Sequence, residues 1–367
     1  MRKEIWALLF IAILMGCAGK DEMDAVIEKG LSVSVEQSKL MAKSIWEQKT
    51  LLPRTLDKEG KLITSDSKWW TSGFFPGVLW YLYEATGDTL LKEYACDYTS
   101  RVEKEKYNKG NHDVGFMLYC SYGNGFRLNP TSESEGVLIN GAHALSARYN
   151  PVVKCIRSWN KWRDYSYPVI IDNMMNLEML MWAYKRTGDD TFKNIAISHA
   201  NTTKLHHFRE DYSSFHVVAY DLKSGKVLQR GTDQGYGDDS SWARGQAWAL
   251  YGYTMMYRET GNEDYLNLAW HIADFILNHP HLPKDKIPYW DFDSPGIPDD
   301  YRDSSSAAII ASALLELSKY SEGHRCERYY TVAEQQLRML ASDEYMAEVG
   351  TNGFFILKHG VGNIPQN

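Results

Sequence analysis

Three stretches of this sequence bring proton-carrying and cationic side chains together at the starts of helix-like runs. The first, Asn111-His112-Asp113-Val114-Gly115-Phe116, sets an imidazole beside a carboxyl. The second, Ile171-Asp172-Asn173-Met174-Met175-Asn176-Leu177, places a carboxyl among isoleucines and methionines. An apolar setting disfavours the charged form, so such a carboxyl can hold a proton near neutral pH. On pattern alone, two uses stay open for Asp113 and Asp172: a proton donor or acceptor in a site, or the N-cap of the helix that follows. The third stretch is polar and glycine-rich and runs from Asp233 to Trp248. Ser240 or Ser241 is expected to cap its helix, on which Arg244 and Trp248 stand four apart and share a face. A guanidinium grips a carboxylate and an indole covers a sugar ring, so this pair suits a carboxylated sugar. It suits a cation–π contact inside a helix interface equally well.

Such groups need a rigid support, and the rest of the chain offers mostly helices. Tyr83-Glu84-Ala85-Thr86-Gly87-Asp88 recurs as Tyr184-Lys185-Arg186-Thr187-Gly188-Asp189 and as Tyr257-Arg258-Glu259-Thr260-Gly261-Asn262, with a degenerate fourth copy at Tyr320-Ser321-Glu322-Gly323. Glycine takes the left-handed conformation that closes one helix, and Asp or Asn caps the next. Each copy is a helical hairpin, and such hairpins must stack or close in a ring to bury their faces. The apolar periodicity predicts eleven helices, near 24–48, 73–86, 89–105, 113–123, 131–148, 173–187, 190–205, 241–260, 263–279, 304–321 and 324–341. Stretch 206–232 is expected to insert a small β-hairpin, Phe215–Tyr220 against Lys226–Gln229. The long connections 49–70, 149–170 and 280–303 are expected to carry function. Eleven helices is one fewer than six hairpins need, so the last helix of a closed ring is expected to be missing.

Composition narrows the function classes. The chain has 367 residues and a net charge of -7, which argues against a nucleic-acid partner. Glycine fingerprints for phosphate or dinucleotide binding, the G-x-S-x-G nucleophile turn and the H-E-x-x-H zinc motif are all absent from the sequence. Arg2 and Lys3 precede an apolar run, Ile5 to Met15, that is too short to span a bilayer and ends in Leu14-Met15-Gly16-Cys17. Residues 1–16 are therefore expected to be a lipoprotein signal peptide, Cys17 the lipidation site, 17–30 a tether and 31–367 the catalytic domain. Lys20-Asp21-Glu22 resembles a surface-export tag, which gives an outer-membrane lipoprotein on the cell surface or the periplasmic face, touching membrane through its lipid alone. Four further cysteines are widely spaced without C-x-x-C, and Cys96 and Cys120 are expected to be buried small hydrophobes.

Several motifs, taken in order, resemble the unsaturated glucuronyl hydrolases, glycoside hydrolase family 88. They are Trp69-Trp70-Thr71-Ser72-Gly73-Phe74-Phe75-Pro76-Gly77, the His112–Phe116 and Asp172–Leu177 stretches, Gln234-Gly235-Tyr236 with Trp242-Ala243-Arg244-Gly245-Gln246-Ala247-Trp248, Arg302–Ala307 and Phe354–Val361. The resemblance implies an all-α fold, an (α/α)6 barrel. It implies removal of the terminal 4,5-unsaturated uronic acid from lyase-generated glycosaminoglycan oligosaccharides by hydration of the C4=C5 vinyl ether. In that scheme Asp172 is the acid/base and Asp113 the second essential carboxyl. Trp70, His112, Asn173, His216, Gln234, Arg244 and Trp248 bind substrate, and neither metal nor cofactor takes part. Family members continue into a final helix beyond the position of Asn367. Some that prefer sulfated substrates carry serines where this chain has Lys358-His359-Gly360-Val361-Gly362-Asn363, so tolerance of unsulfated or differently sulfated substrates is expected. Two alternatives are a pectin-directed unsaturated rhamnogalacturonyl hydrolase of family 105 and an inactive glycan-binding surface lipoprotein.

Overall fold

Helical hairpins closed by glycine and capped by Asp or Asn set the architecture of the computed structural model, which describes residues 2–366, with side chains for 22–365. The side chains of the expected lipidation site Cys17 and of the expected signal peptide lie outside the described ones. In chain order the elements are α1 (Arg2–Ser44), β1 (Leu52–Leu56), β2 (Leu62–Ser65), α2 (Phe74–Thr86), α3 (Thr89–Ser100), α4 (Val114–Leu118), α5 (Asn124–Leu128), α6 (Ser132–Ser146), β3 (Tyr149–Asn150), β4 (Cys155–Ile156), β5 (Pro168–Ile170), α7 (Leu177–Thr187), α8 (Asp190–His206), β6 (Val217–Tyr220), β7 (Val227–Gly231), α9 (Ala243–Thr260), α10 (Glu263–Asn278), α11 (Ser304–Ser318) and α12 (Gly323–Leu340). A π-turn at Tyr119–Gly123 joins α4 to α5, so the two make one rod.

The repeated turns behave as their chemistry dictates. Gly87, Gly188 and Gly261 take φ of 69°, 74° and 66°. Asp88, Asp189 and Asn262 then accept backbone N–H groups at 2.9, 2.8 and 3.0 Å. Gly323 also has positive φ, but Glu322 caps α12 without a side-chain bond, so the fourth copy is degenerate in structure as in sequence.

Helix α9 is buried along most of its length and packs on α7, α10 and α11, which marks it as an inner helix. Among the described residues the inner ring is α2, α4–α5, α7, α9 and α11, and the outer ring is α1, α3, α6, α8, α10 and α12. One continuous apolar core fills the space between the rings. Glycines permit the closest inner approach: a Cβ on Gly73 would lie 2.2 Å from the Met117 carbonyl oxygen. The ends of the chain meet through Gln37, which is fully buried. Its amide N–H groups reach the carbonyls of Thr351 and Phe355 at 3.2 and 3.1 Å, and its Oε1 accepts from Gly350 at 2.9 Å.

The expected hairpin exists as β6–β7, and β5 adds a third antiparallel strand with Val169 opposite Val218. Short strands hidden in long connections, β1–β2 among them, escaped the sequence reading because two to five residues show too little alternation. Cys96 corrects an expectation: it is exposed, and Cys120 is only half-buried. Ala95, Tyr98 and Thr99 of α3 face inward, which turns position 96 to solvent. Residues 22–30, expected as tether, lie in α1, where Lys29 reaches Asp343 at 2.8 Å. Among the described residues no helix is long and apolar enough to cross a membrane.

Candidate active site

The sheet register decides where the second carboxyl goes. Ile170, the last residue of β5, pairs with Val217, the first of β6, and the Ile171 N–H reaches the His216 carbonyl at 3.0 Å. The chain then turns into a 3-10 segment, Ile171–Asn176, so Asp172 emerges beside the His216 ring. Asp172 is not a cap: that segment's N-cap is Ile170. Asp113 does occupy the N-cap of α4, but its carboxylate makes no capping bond. Both carboxyls are buried and free for chemistry.

Each faces an imidazole whose tautomer its other neighbours fix. The Asp233 backbone N–H donates to His216 Nδ1 at 3.1 Å and that of Gln234 approaches it at 3.4 Å, so Nδ1 is an acceptor and the proton sits on Nε2. Nε2 lies 3.6 Å from Asp172 Oδ2. Asn176 Oδ1 accepts the Phe116 N–H at 2.9 Å, which turns its amide N–H toward His112 Nδ1 at 3.4 Å. The His112 proton is thereby also on Nε2, 3.3 Å from Asp113 Oδ1. Burial lowers His112 to about 3 and His216 well below its ordinary value, so both rings are neutral. Burial raises Asp113 to about 7 against the opposing charge of Arg148. It raises Asp172 to about 7 as well; Arg244 opposes the rise, and the Asp113 anion adds to it. Two interacting carboxyls of this kind share protons near neutrality.

An aromatic wall closes one side. Phe116 contacts Trp248 at 5.2 Å and the half-buried Trp70 at 5.7 Å between ring centroids, and Trp242 and Trp290 belong to the same cluster. Asn173 is fully buried; its amide N–H is tied to the Ile156 carbonyl at 2.9 Å, and the amide also faces His112. Gln234 Oε1 accepts from Arg244 Nη2 at 2.9 Å. The structure thus gathers every residue that the motifs proposed.

Arg244 is more constrained than its spacing promised. Its terminal nitrogens bond Asp303 at 3.2 Å, Val361 at 2.5 Å, Gln234, and Gly362 at 2.8 Å, leaving Nε unpaired. Its cation–π partner is Trp242, at 4.7 Å, not Trp248. The serine cap is corrected too: Trp242 takes the N-cap of α9 without a side-chain bond. The Ser240 hydroxyl donates instead to Asp291 at 2.7 Å. Trp159 was missed. Its ring stands edge-on to His216 at 5.9 Å, and the long connection that carries it was the available signal.

An unsaturated glucuronyl hydrolase of Formosa agariphila is 50% identical over 303 residues, spanning 82% of this chain and 75% of that one. The chain belongs to the unsaturated glucuronyl hydrolase family. A solved unsaturated glucuronyl hydrolase specific for heparin superposes with a TM-score of 0.90 at 47% identity, covering 94% of this chain and 91% of that one. An unsaturated chondroitin disaccharide hydrolase of Streptococcus pyogenes is 31% identical over 342 residues, 91% of this chain and 84% of that one. No family model matches the chain. Membership agrees with the family 88 resemblance and with the helical barrel, and it favours the hydrolase over the pectin-directed and inactive alternatives.

Proposed function

We propose that this unsaturated glucuronyl hydrolase releases the terminal 4,5-unsaturated uronic acid from glycosaminoglycan oligosaccharides left by polysaccharide lyases. One observation carries the reading: two buried carboxyls, both raised to about 7, each faced by a neutral imidazole N–H. At neutral pH the pair holds one proton and one negative charge. In this scheme Asp172, which matches the family's acid, holds the proton, and the Asp113 anion adds to the rise in Asp172. In the reaction that proton passes to C4, and the π electrons of C4=C5 form the new C–H bond. Positive charge develops at C5, shared with the ring oxygen. Water adds at C5 and returns a proton to Asp172. The resulting hemiketal opens and expels the remaining saccharide. His216 steadies the Asp172 carboxyl as it becomes an anion, and the Trp70–Phe116–Trp248 wall lies against the sugar. Heparin and chondroitin specificities among similar proteins support the substrate class.

The test is ultraviolet absorbance of unsaturated chondroitin, hyaluronan and heparin disaccharides incubated with the purified protein. Loss of the conjugated uronate signal on at least one is expected, and the ranking of rates identifies the glycan. A folded protein that leaves all three untouched refutes the reading.

The same proposal places the enzyme on the outer membrane through a lipid on Cys17, supported by Leu14-Met15-Gly16-Cys17 after a short apolar run. Cells fed a labelled fatty acid should label the wild-type protein and not Cys17→Ala. Equal labelling of both would rule this anchor out.

A further inference from the structure

Three arginines are buried among the described residues, and two of them pair with a carboxylate. Arg101 meets Asp97 at 2.6 Å, and Arg244 meets Asp303 at 3.2 Å. Arg148, just past the end of α6, has no carboxylate within ion-pair distance. Its acceptors are all neutral: the Arg157 carbonyl at 2.8 Å, Lys109 at 2.5 Å, Ser158 at 3.0 Å, and the Asn160 amide oxygen at 3.4 Å from both terminal nitrogens. These acceptors lie on two loops that flank the site. Lys109 precedes His112 and Asp113, while Ser158 and Asn160 bracket Trp159.

We propose that Arg148 is a positioning residue for this hydrolase: it fastens the Trp159 and Asp113 loops to each other and supplies the unneutralised positive charge that Asp113 faces. A buried cation without a counter-ion is costly, so its retention calls for a use. The fork of a guanidinium fits several carbonyls at fixed angles, which an ammonium cannot reproduce. The groups around Asp113 leave Arg148 as its cation. Its own stretch offers the neutral His112, and the 3-10 segment offers Asp172 together with the neutral Asn173 and Asn176. From the end of α6 comes Arg148, which opposes the rise in Asp113's proton affinity. Arg244 pairs with Asp303 and also opposes the rise in Asp172, so each carboxyl has its own cation.

The assignment rests on the hydrolase reading, so its test has a readout independent of turnover. Arg148→Met, Arg148→Gln and Arg148→Lys are compared with wild type by kcat/KM against pH and by carboxyl NMR titration of aspartate-labelled protein. The neutral variants should move the acidic limb and the Asp113 titration upward by about one pH unit. Arg148→Lys should leave both in place while raising KM several-fold, because Trp159 loses its anchor. Arg148→Gln can still donate to the carbonyls and serves if the Met variant does not fold. A folded neutral variant with an unmoved limb and titration overturns the proposal, as does a Lys variant displaced as far as the neutral ones. An inert wild type would end the hydrolase reading and leave the titration to decide on Arg148.

Discussion

Asp172→Asn is expected to lower kcat by roughly a thousandfold while leaving a folded protein that binds substrate about as tightly as wild type. The amide matches a protonated carboxyl in shape and in neutrality, so the buried pocket accepts it without loss of packing. It cannot deliver a proton to C4, and that loss falls on the chemical step alone. Single-turnover kinetics and a direct binding titration separate the two effects. Turnover within tenfold of wild type would remove Asp172 as the proton donor. A matched loss of binding would mean that the side chain holds the substrate and not the reacting carbon.

A second expected result concerns stability, with a sign opposite to that of most acidic residues. Asp113 and Asp172 have folded-state values near 7, above the ordinary 3.8. The unfolded chain gives up these protons first as pH rises, so the wild type loses stability between about pH 4 and pH 7 and stays at the lower level above that. The Asp113→Asn/Asp172→Asn double variant has nothing to ionise. It should be more stable than wild type at pH 8 by several kcal/mol, on the order of what burial of two ionisable groups costs. The advantage should shrink through the acid range and vanish near pH 4. Thermal unfolding at pH 4, 6 and 8 measures it. A double variant less stable than wild type at pH 8 would mean that the two carboxylates support the fold. A more stable double variant shows that the active protein retains a destabilised centre because the chemistry requires it.

The hairpin repeat was legible because its signals are local. A left-handed glycine and an Asp or Asn cap act within six residues, and the three clear copies fold alike. The inner and outer roles of the helices were not legible, since both kinds are amphipathic or apolar and the ring order depends on long-range contacts. For the site, the motif residues were recognisable and their gathering followed. The supporting shell was not. Asn176 reads as a buried helix residue, yet it orients His112 only because the Phe116 N–H, sixty positions earlier, occupies its oxygen. Arg148 has no motif around it, and its role depends on four carbonyl-type acceptors from two loops. Arg244 looked like a free hand for a carboxylate until the segment around Val361 and Gly362 claimed its terminal nitrogens.

The Gln37 contacts carry a consequence for how the ring is built. Its amide satisfies groups 313 to 318 positions away, so α1 cannot dock fully until residues 350–355 have been synthesised. Contacts of such sequence separation form late, after the loop entropy of nearly the whole chain has been overcome. During synthesis the internal hairpins can pair with their neighbours as they appear, and the C-terminal end of α1 can settle on α2 and α3, while the stretch around Gln37 waits uncovered. The joint at Gln37 forms last, and the interval before it forms is when the chain is most exposed to wrong partners.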